Sequence, residues 1–324
     1  MSTHSSSDRF YTEYDSRLVE EAVLLRSAGH PEENQFRRAR NRIYEIADSE
    51  ECEKRFHGFH ADWFHRFNLG HPITAALEEQ VSLVRDTRCC CVIFTPSAQD
   101  EGADLHEARD SCPADHEAKR MILLKLKPNT LLDTSNLQTF LRHEFMHIAD
   151  ILDPQFGYEP LLPKSEFGPA YESLVRERYR VLWDARIDGR LFRRGWVTEG
   201  IREKRLAEFT ATFSIRDREA EEKFRQFFDS ETQTHAGLMA FVLNAGTKTG
   251  RSLGGKPRAR PCPLCRFPSF SIIEGAVGLP TDARDEIAVD FPEWRPEQGL
   301  CCQCADLYRA RRLSRSAEAT LPRS

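Results

Sequence analysis

The chain has 324 residues, 40% hydrophobic and 30% charged, with a formal net charge of −5. That balance suits a folded globular protein with room for two compact units, and it excludes wholesale disorder and any bulk attraction for nucleic acid. The N-terminus lacks a cationic segment followed by an apolar one, and no apolar run approaches the ~20 residues of a membrane span, so a cytoplasmic location without a membrane partner is expected.

Helical patterns open the chain, over Tyr14–Leu25 and Glu32–Ala47. A polar and aromatic stretch, Cys52–Leu69, holds His57, His60 and His65, with His71 just beyond. Their mixed spacing fits scattered histidines better than a metal patch. Cys89–Phe94 (CCCVIF) is apolar and partly β-branched and reads as a short buried strand, its cysteines serving as small hydrophobes. Gln99–His116 reads as a polar excursion. Met121–Leu126 is a second strand, and Lys125 and Lys127 suit an exposed edge.

The best-defined helix follows. Asp133, Thr134 or Ser135 can cap it; Leu137, Phe140, Leu141, Phe145, Ile148 and Leu152 recur at helical spacing; Pro154 stops it near Asp153. Further helices are expected over Ala170–Arg193 (ended by Gly195), Arg202–Phe213, Arg218–Phe228 and Gly237–Leu243. Composition then changes. Residues 246–261 (GTKTGRSLGGKPRARP) are glycine-rich and basic, the mark of a flexible linker, and the GTKTG run lacks the full spacing of a phosphate loop. The organisation expected is a helical region over 1–85, a catalytic domain over 86–245, the linker over 246–261, and a zinc ribbon with a basic tail over 262–324.

Two groups of residues carry metal chemistry. In His143-Glu144-Phe145-Met146-His147 the histidines are four apart and share a helical face, so both imidazoles can reach one Zn²⁺. Glu144 can then face an activated water as general base. Cys262-Pro263-Leu264-Cys265 and Cys301-Cys302-Gln303-Cys304 form two Cys-x-x-Cys knuckles. In a reducing compartment these read as a closed structural zinc site made by Cys262, Cys265, Cys301 and Cys304, with Cys302 spare. Two zinc ions per chain are therefore expected, one catalytic and one structural.

The stretch Cys89–Phe213 resembles the zincin superfamily of metallopeptidases through its His-Glu-x-x-His helix. The resemblance implies an α+β domain with a small antiparallel sheet packed on the active-site helix, and hydrolysis of a peptide or protein substrate. Asp150 stands where the metzincin branch has a glycine, so that branch does not fit, and Asp150 more readily orients a histidine. In the gluzincin-like branch the third ligand comes from a following helix, commonly as Glu-x-x-x-Asp. Here that helix carries Asp184 and Asp188, four apart. The resemblance to a Trp-Asn-x-x-x-Asp pattern favours Asp188, leaving Asp184 and, in reserve, Glu208. Tyr158 is a candidate for oxyanion stabilisation; His235 carries no signal.

Joining such a domain to a cysteine ribbon resembles the SprT-like arrangement in organisation, although the downstream histidine expected there is absent. It implies work near nucleic acid, which the basic linker (Lys248, Arg251, Lys256, Arg258, Arg260) and tail (Arg309, Arg311, Arg312, Arg315) would suit. The alternative is a non-catalytic zinc scaffold that binds partners through the ribbon.

Overall fold

A computed structural model describes residues 10–107, 120–160, 168–213, 215, 217–244, 260–269, 272–276 and 279–309. The chain divides into two compact units, Met1–Pro154 and Gln155–Ser324. The boundary falls inside the 86–245 stretch that the motifs group together.

The first unit is built on four strands: β1 (Tyr11–Tyr14), β2 (Cys89–Phe94), β3 (Gly102–Glu107) and β4 (Arg120–Leu126), in sheet order β1-β2-β4-β3. The β1–β2 and β2–β4 pairings are parallel and only β3 runs antiparallel, so the sheet is mixed rather than antiparallel as expected. Cys90, Val92, Ile122, Leu124 and Leu126 alternate along β2 and β4 and are fully buried. They share one core with Leu18, Phe36, Ile73, Leu141 and Phe145 of the surrounding helices.

Two expectations are corrected here. Tyr14 ends strand β1 instead of opening a helix. Asp15 accepts the amides of Arg17 and Leu18 and caps the first helix, α1 (Ser16–Ser27). Strand β4 is central, not an edge, because residues 102–107 (GADLHE) pair along it; Lys125 Nζ meets Asp104 of β3 at 3.1 Å. With Leu105 its only large apolar residue, β3 lacks the hydrophobic alternation by which a strand is recognised.

Four helices follow α1: α2 (Glu33–Ile43), α3 (Ser49–Arg66), α4 (His71–Glu78) and α5 (Val81–Asp86). The short α6 (Pro128–Leu132) then leads to α7 (Thr134–Leu152). Asp133 caps α7, and the helix ends as expected before Pro154. Leu137, Leu141, Phe145 and Ile148 face the core, and Arg142 on the flank makes a two-pronged bond to Glu79 at 2.8 and 2.6 Å. The apolar stripe fixes the rotation of α7, and so the face on which its motif lies.

The second unit is organised around α8 (Gly168–Arg193), with α9 (Gly200–Phe213), α10 (Asp217–Phe228) and α11 (His235–Asn244). Residues 181–189 of α8 are all buried. The backbone of α10 comes so close that a methyl group on Gly189 would lie 1.9 Å from the Phe228 carbonyl oxygen. That same oxygen accepts a bond from Arg193 Nη1 at 2.5 Å, which satisfies a carbonyl at the helix end.

The cysteine-bearing segment belongs to this unit. It contains the hairpin β5 (Arg260–Pro261) with β6 (Pro268–Ser269), a second pair, β7 (Ile272–Ile273) with β8 (Leu300–Cys301), helix α12 (Thr281–Asp290), and a helical stretch over 302–309. Phe267 stacks on Tyr171 of α8 with centroids 5.1 Å apart, and Gln303 Nε2 donates to the Thr212 carbonyl near the end of α9 at 2.8 Å. Residues 246–259 of the expected linker, with its GTKTG run, and residues 310–324 of the tail lie outside the described residues.

Candidate metal centres

Among the described residues Cys262, Cys265, Cys301 and Cys304 lie close enough together to hold one metal ion, and His143 and His147 form a pair on α7. On α7, His143, Glu144 and His147 are half-buried. The two Nε2 atoms lie 3.2 Å apart, with ring centroids 4.9 Å apart and planes at 68°. Two nitrogens bound tetrahedrally at about 2.0–2.1 Å would be separated by about 3.3 Å. The helix therefore presets the bite of the histidine pair.

Glu144 Oε2 accepts the Ala103 amide of β3 at 2.9 Å, and Gly102 beside it allows the approach: a methyl there would lie 3.2 Å from that oxygen. Because the Ala103 N–H serves Glu144, it lies on the outer side of β3. Strand alternation places the Leu105 amide and carbonyl on that side too. Asp150, three residues past His147, is buried.

On α8, Asp184 and Asp188 are both buried. Arg205 of α9 gathers the carboxylates around it: Nε lies 2.5 Å from Asp188 Oδ2, and Nη1 lies 3.4 Å from Asp184 Oδ2 and 2.6 Å from Glu208 Oε2. Arg180 adds a contact to Asp184 Oδ2 at 3.1 Å. Burial alone would pull Arg205 down, but the charges of Asp188 and Asp184 raise it overall, so it is a fixed cation. Asp188, favoured as ligand by the sequence pattern, is thus held by Arg205, and Asp184 shares the same guanidinium more loosely. Glu208 is an ion-pair partner of Arg205. Tyr158 stacks on Trp183 at 5.3 Å, and burial raises its hydroxyl pKa.

The four knuckle cysteines are all buried, whereas Cys302 is exposed. Cys262 and Cys304 Sγ lie 3.9 Å apart and Cys265 and Cys301 Sγ 3.8 Å apart. A tetrahedral site with metal–sulfur bonds of about 2.3 Å has edges of about 3.8 Å. Backbone amides point at the sulfurs, Cys301 N to Cys262 Sγ at 3.3 Å and Cys304 N to Cys301 Sγ at 3.4 Å. Bonds from Cys265 and the other thiols hold Cys262 far below the usual thiol range. Their bonds to Cys262 push Cys301 and Cys304 far above it. Four thiolates can coexist here only around a cation.

Arg178 of α8 is also buried, and burial draws it down to about 10, opposed by Cys265, Cys301 and Cys304. Neither Arg178 nor Arg205 is singled out by sequence spacing, because arginines are frequent along both helices. Among the described residues the other histidines join neither group: His60 is buried in the first unit, and His235 Nδ1 bonds Tyr179 Oη at 2.7 Å. Cys89 and Cys90 are buried in β2. Arg260 pairs with Glu274 and Arg309 with Asp306. Among the described residues no helix is long and apolar enough to cross a membrane. Compared with protein-family models, curated proteins and solved structures, the chain matches none.

Proposed function

We propose that the protein is a zinc-dependent, zincin-like hydrolase of peptide bonds, with His143 and His147 as zinc ligands, Asp188 or Asp184 as the third ligand that the gluzincin-like resemblance implies, and Glu144 as general base. The observation that carries the reading is Glu144 itself. It stands beside a histidine pair whose 3.2 Å bite suits zinc, and its carboxylate is anchored to an edge strand at 2.9 Å. A site that served stability alone would have no use for a carboxylate held at that point. Three protein ligands leave a fourth position for water, the catalytic rather than the structural pattern.

A zinc ion held there would supply Lewis acidity and an acidified water. Glu144 would take that water's proton as its oxygen adds to the peptide carbonyl carbon, and deliver the proton to the amine nitrogen as the C–N bond breaks. The outer side of β3 offers the amide and carbonyl of Leu105 to an extended substrate, so the peptide is aligned by backbone hydrogen bonds. Arg205 holds Asp188 and contacts Asp184 Oδ2, which fixes both carboxylates of α8 in place. The cysteine centre, with four sulfur ligands, is structural and binds zinc for folding.

The test is Glu144→Gln in the zinc-loaded protein. The amide oxygen can still accept the Ala103 N–H, so the anchor survives while the base is lost. Zinc content should remain at the parental value, and cleavage of an unfolded, fluorescently labelled protein should fall about 10²–10⁴-fold. Unchanged cleavage would reject the role of Glu144. A zinc-replete parent that cleaves nothing in a broad peptide library would favour the non-catalytic scaffold.

A further inference from the structure

The cysteine centre has a neighbour that sulfur ligation alone does not explain. Arg178 lies on α8 with 2% of its surface exposed, yet its Nε and Nη1 have no hydrogen-bond partner among the described residues. Its guanidinium sits 3.7 Å from the centroid of Phe267. Phe267 is two residues past Cys265, and its carbonyl accepts the Cys262 amide at 2.9 Å. The side chain is therefore seated against the first knuckle.

A guanidinium does not shed its proton at neutral pH, and a ring face replaces only part of its lost hydration. A charge buried this deeply needs an opposite charge nearby. Among the described residues no carboxylate pairs with Arg178, and its charge is acted on by Cys265, Cys301, Cys304 and the Tyr171 hydroxyl. Tyr171 is a neutral phenol at neutral pH, which leaves three of the four sulfur ligands. Four neutral thiols would offer no counter-charge. Four thiolates around a divalent cation carry a net charge of about −2.

We propose that Arg178 is the counter-ion of a dianionic, four-thiolate metal centre, a positioning residue that fastens the cysteine segment to α8 by charge. Tyr171 and Arg178 are seven apart and share one helical face, so the ring stack on Phe267 and the charge contact act along the same line. The inference rests on metal binding by the cysteines and is independent of any hydrolysis at the histidines.

The experiment uses the full chain carrying His143→Ala and His147→Ala, which removes the other centre, loaded with Co²⁺. Thiolate-to-cobalt charge-transfer absorption then reports the cysteine centre alone, and a chelator titration reads its affinity. Arg178→Met should hold cobalt about 10–100-fold more weakly, and Arg178→Lys, which keeps the charge, should stay near the parent. Parental affinity in Arg178→Met overturns the proposal, as does an Arg178→Lys protein as weak as Arg178→Met. If Arg178→Met does not fold, Arg178→Lys decides: a folded protein with near-parental affinity supports the counter-ion role, and loss of cobalt or of the fold rejects it.

Discussion

The two metal centres use different amounts of the chain. The cysteine centre draws four buried sulfurs from two knuckles, Cys262/Cys265 and Cys301/Cys304, that are separated by α12, with backbone amides pointing at the sulfurs. The histidine pair takes two half-buried imidazoles from a single turn of α7, with Glu144 next to the first and bonded to the Ala103 amide. Four sulfurs can fill a tetrahedron; in the proposed reading the histidine centre leaves a position open near Glu144. Ligand count and exposure, more than the ion chosen, separate a site that holds a fold from one that can do chemistry.

The largest expected effect would break this contrast at the cysteines. Cys262→Ser with Cys265→Ser should release the metal and unfold the segment 260–309, because a structural zinc contributes about 10–16 kcal/mol of apparent folding free energy. Since Phe267 and Gln303 lie against α8 and α9, amide exchange should also rise in those helices. His143→Ala with His147→Ala should lower the zinc content by one ion and leave the melting temperature nearly unchanged. Equal destabilisation by the two pairs would erase the distinction drawn here.

The next effect concerns the acids. If an α8 aspartate completes the histidine pair, its change to Asn should empty that centre under mild chelation, whereas loss of the neighbouring acid should weaken it about 10–100-fold. Zinc retention in Asp184→Asn and Asp188→Asn after dialysis, with circular dichroism to confirm folding, measures both. Retention of zinc by both variants would place the third ligand elsewhere.

The smallest is Gly189→Ala. With Phe228 O 1.9 Å from the added methyl, α8 and α10 must move apart, at a cost of about 1–3 kcal/mol. Thermal melts read the loss. A variant as stable as the parent would show that the packing of α8 tolerates adjustment, and that the positions of Asp184 and Asp188 are less tightly held.

What the sequence by itself determined is what local chemistry determines. The span of α7, capped at Asp133 and stopped by Pro154, the bite of His143 and His147, the strand Cys89–Phe94 and the pairing of the two cysteine knuckles all follow from spacing within a few residues. Tertiary structure decided the rest. GADLHE became strand β3 because β4 offered it a ladder, although half-solvated edges carry little hydrophobic pattern. Tyr11–Tyr14 joined the sheet through β2, a partner nearly eighty residues away. Asp184 and Asp188 share one helical face, so periodicity cannot rank them. Their surroundings differ only through tertiary contacts such as Arg205 of α9 at 2.5 Å from Asp188, which no single helix encodes.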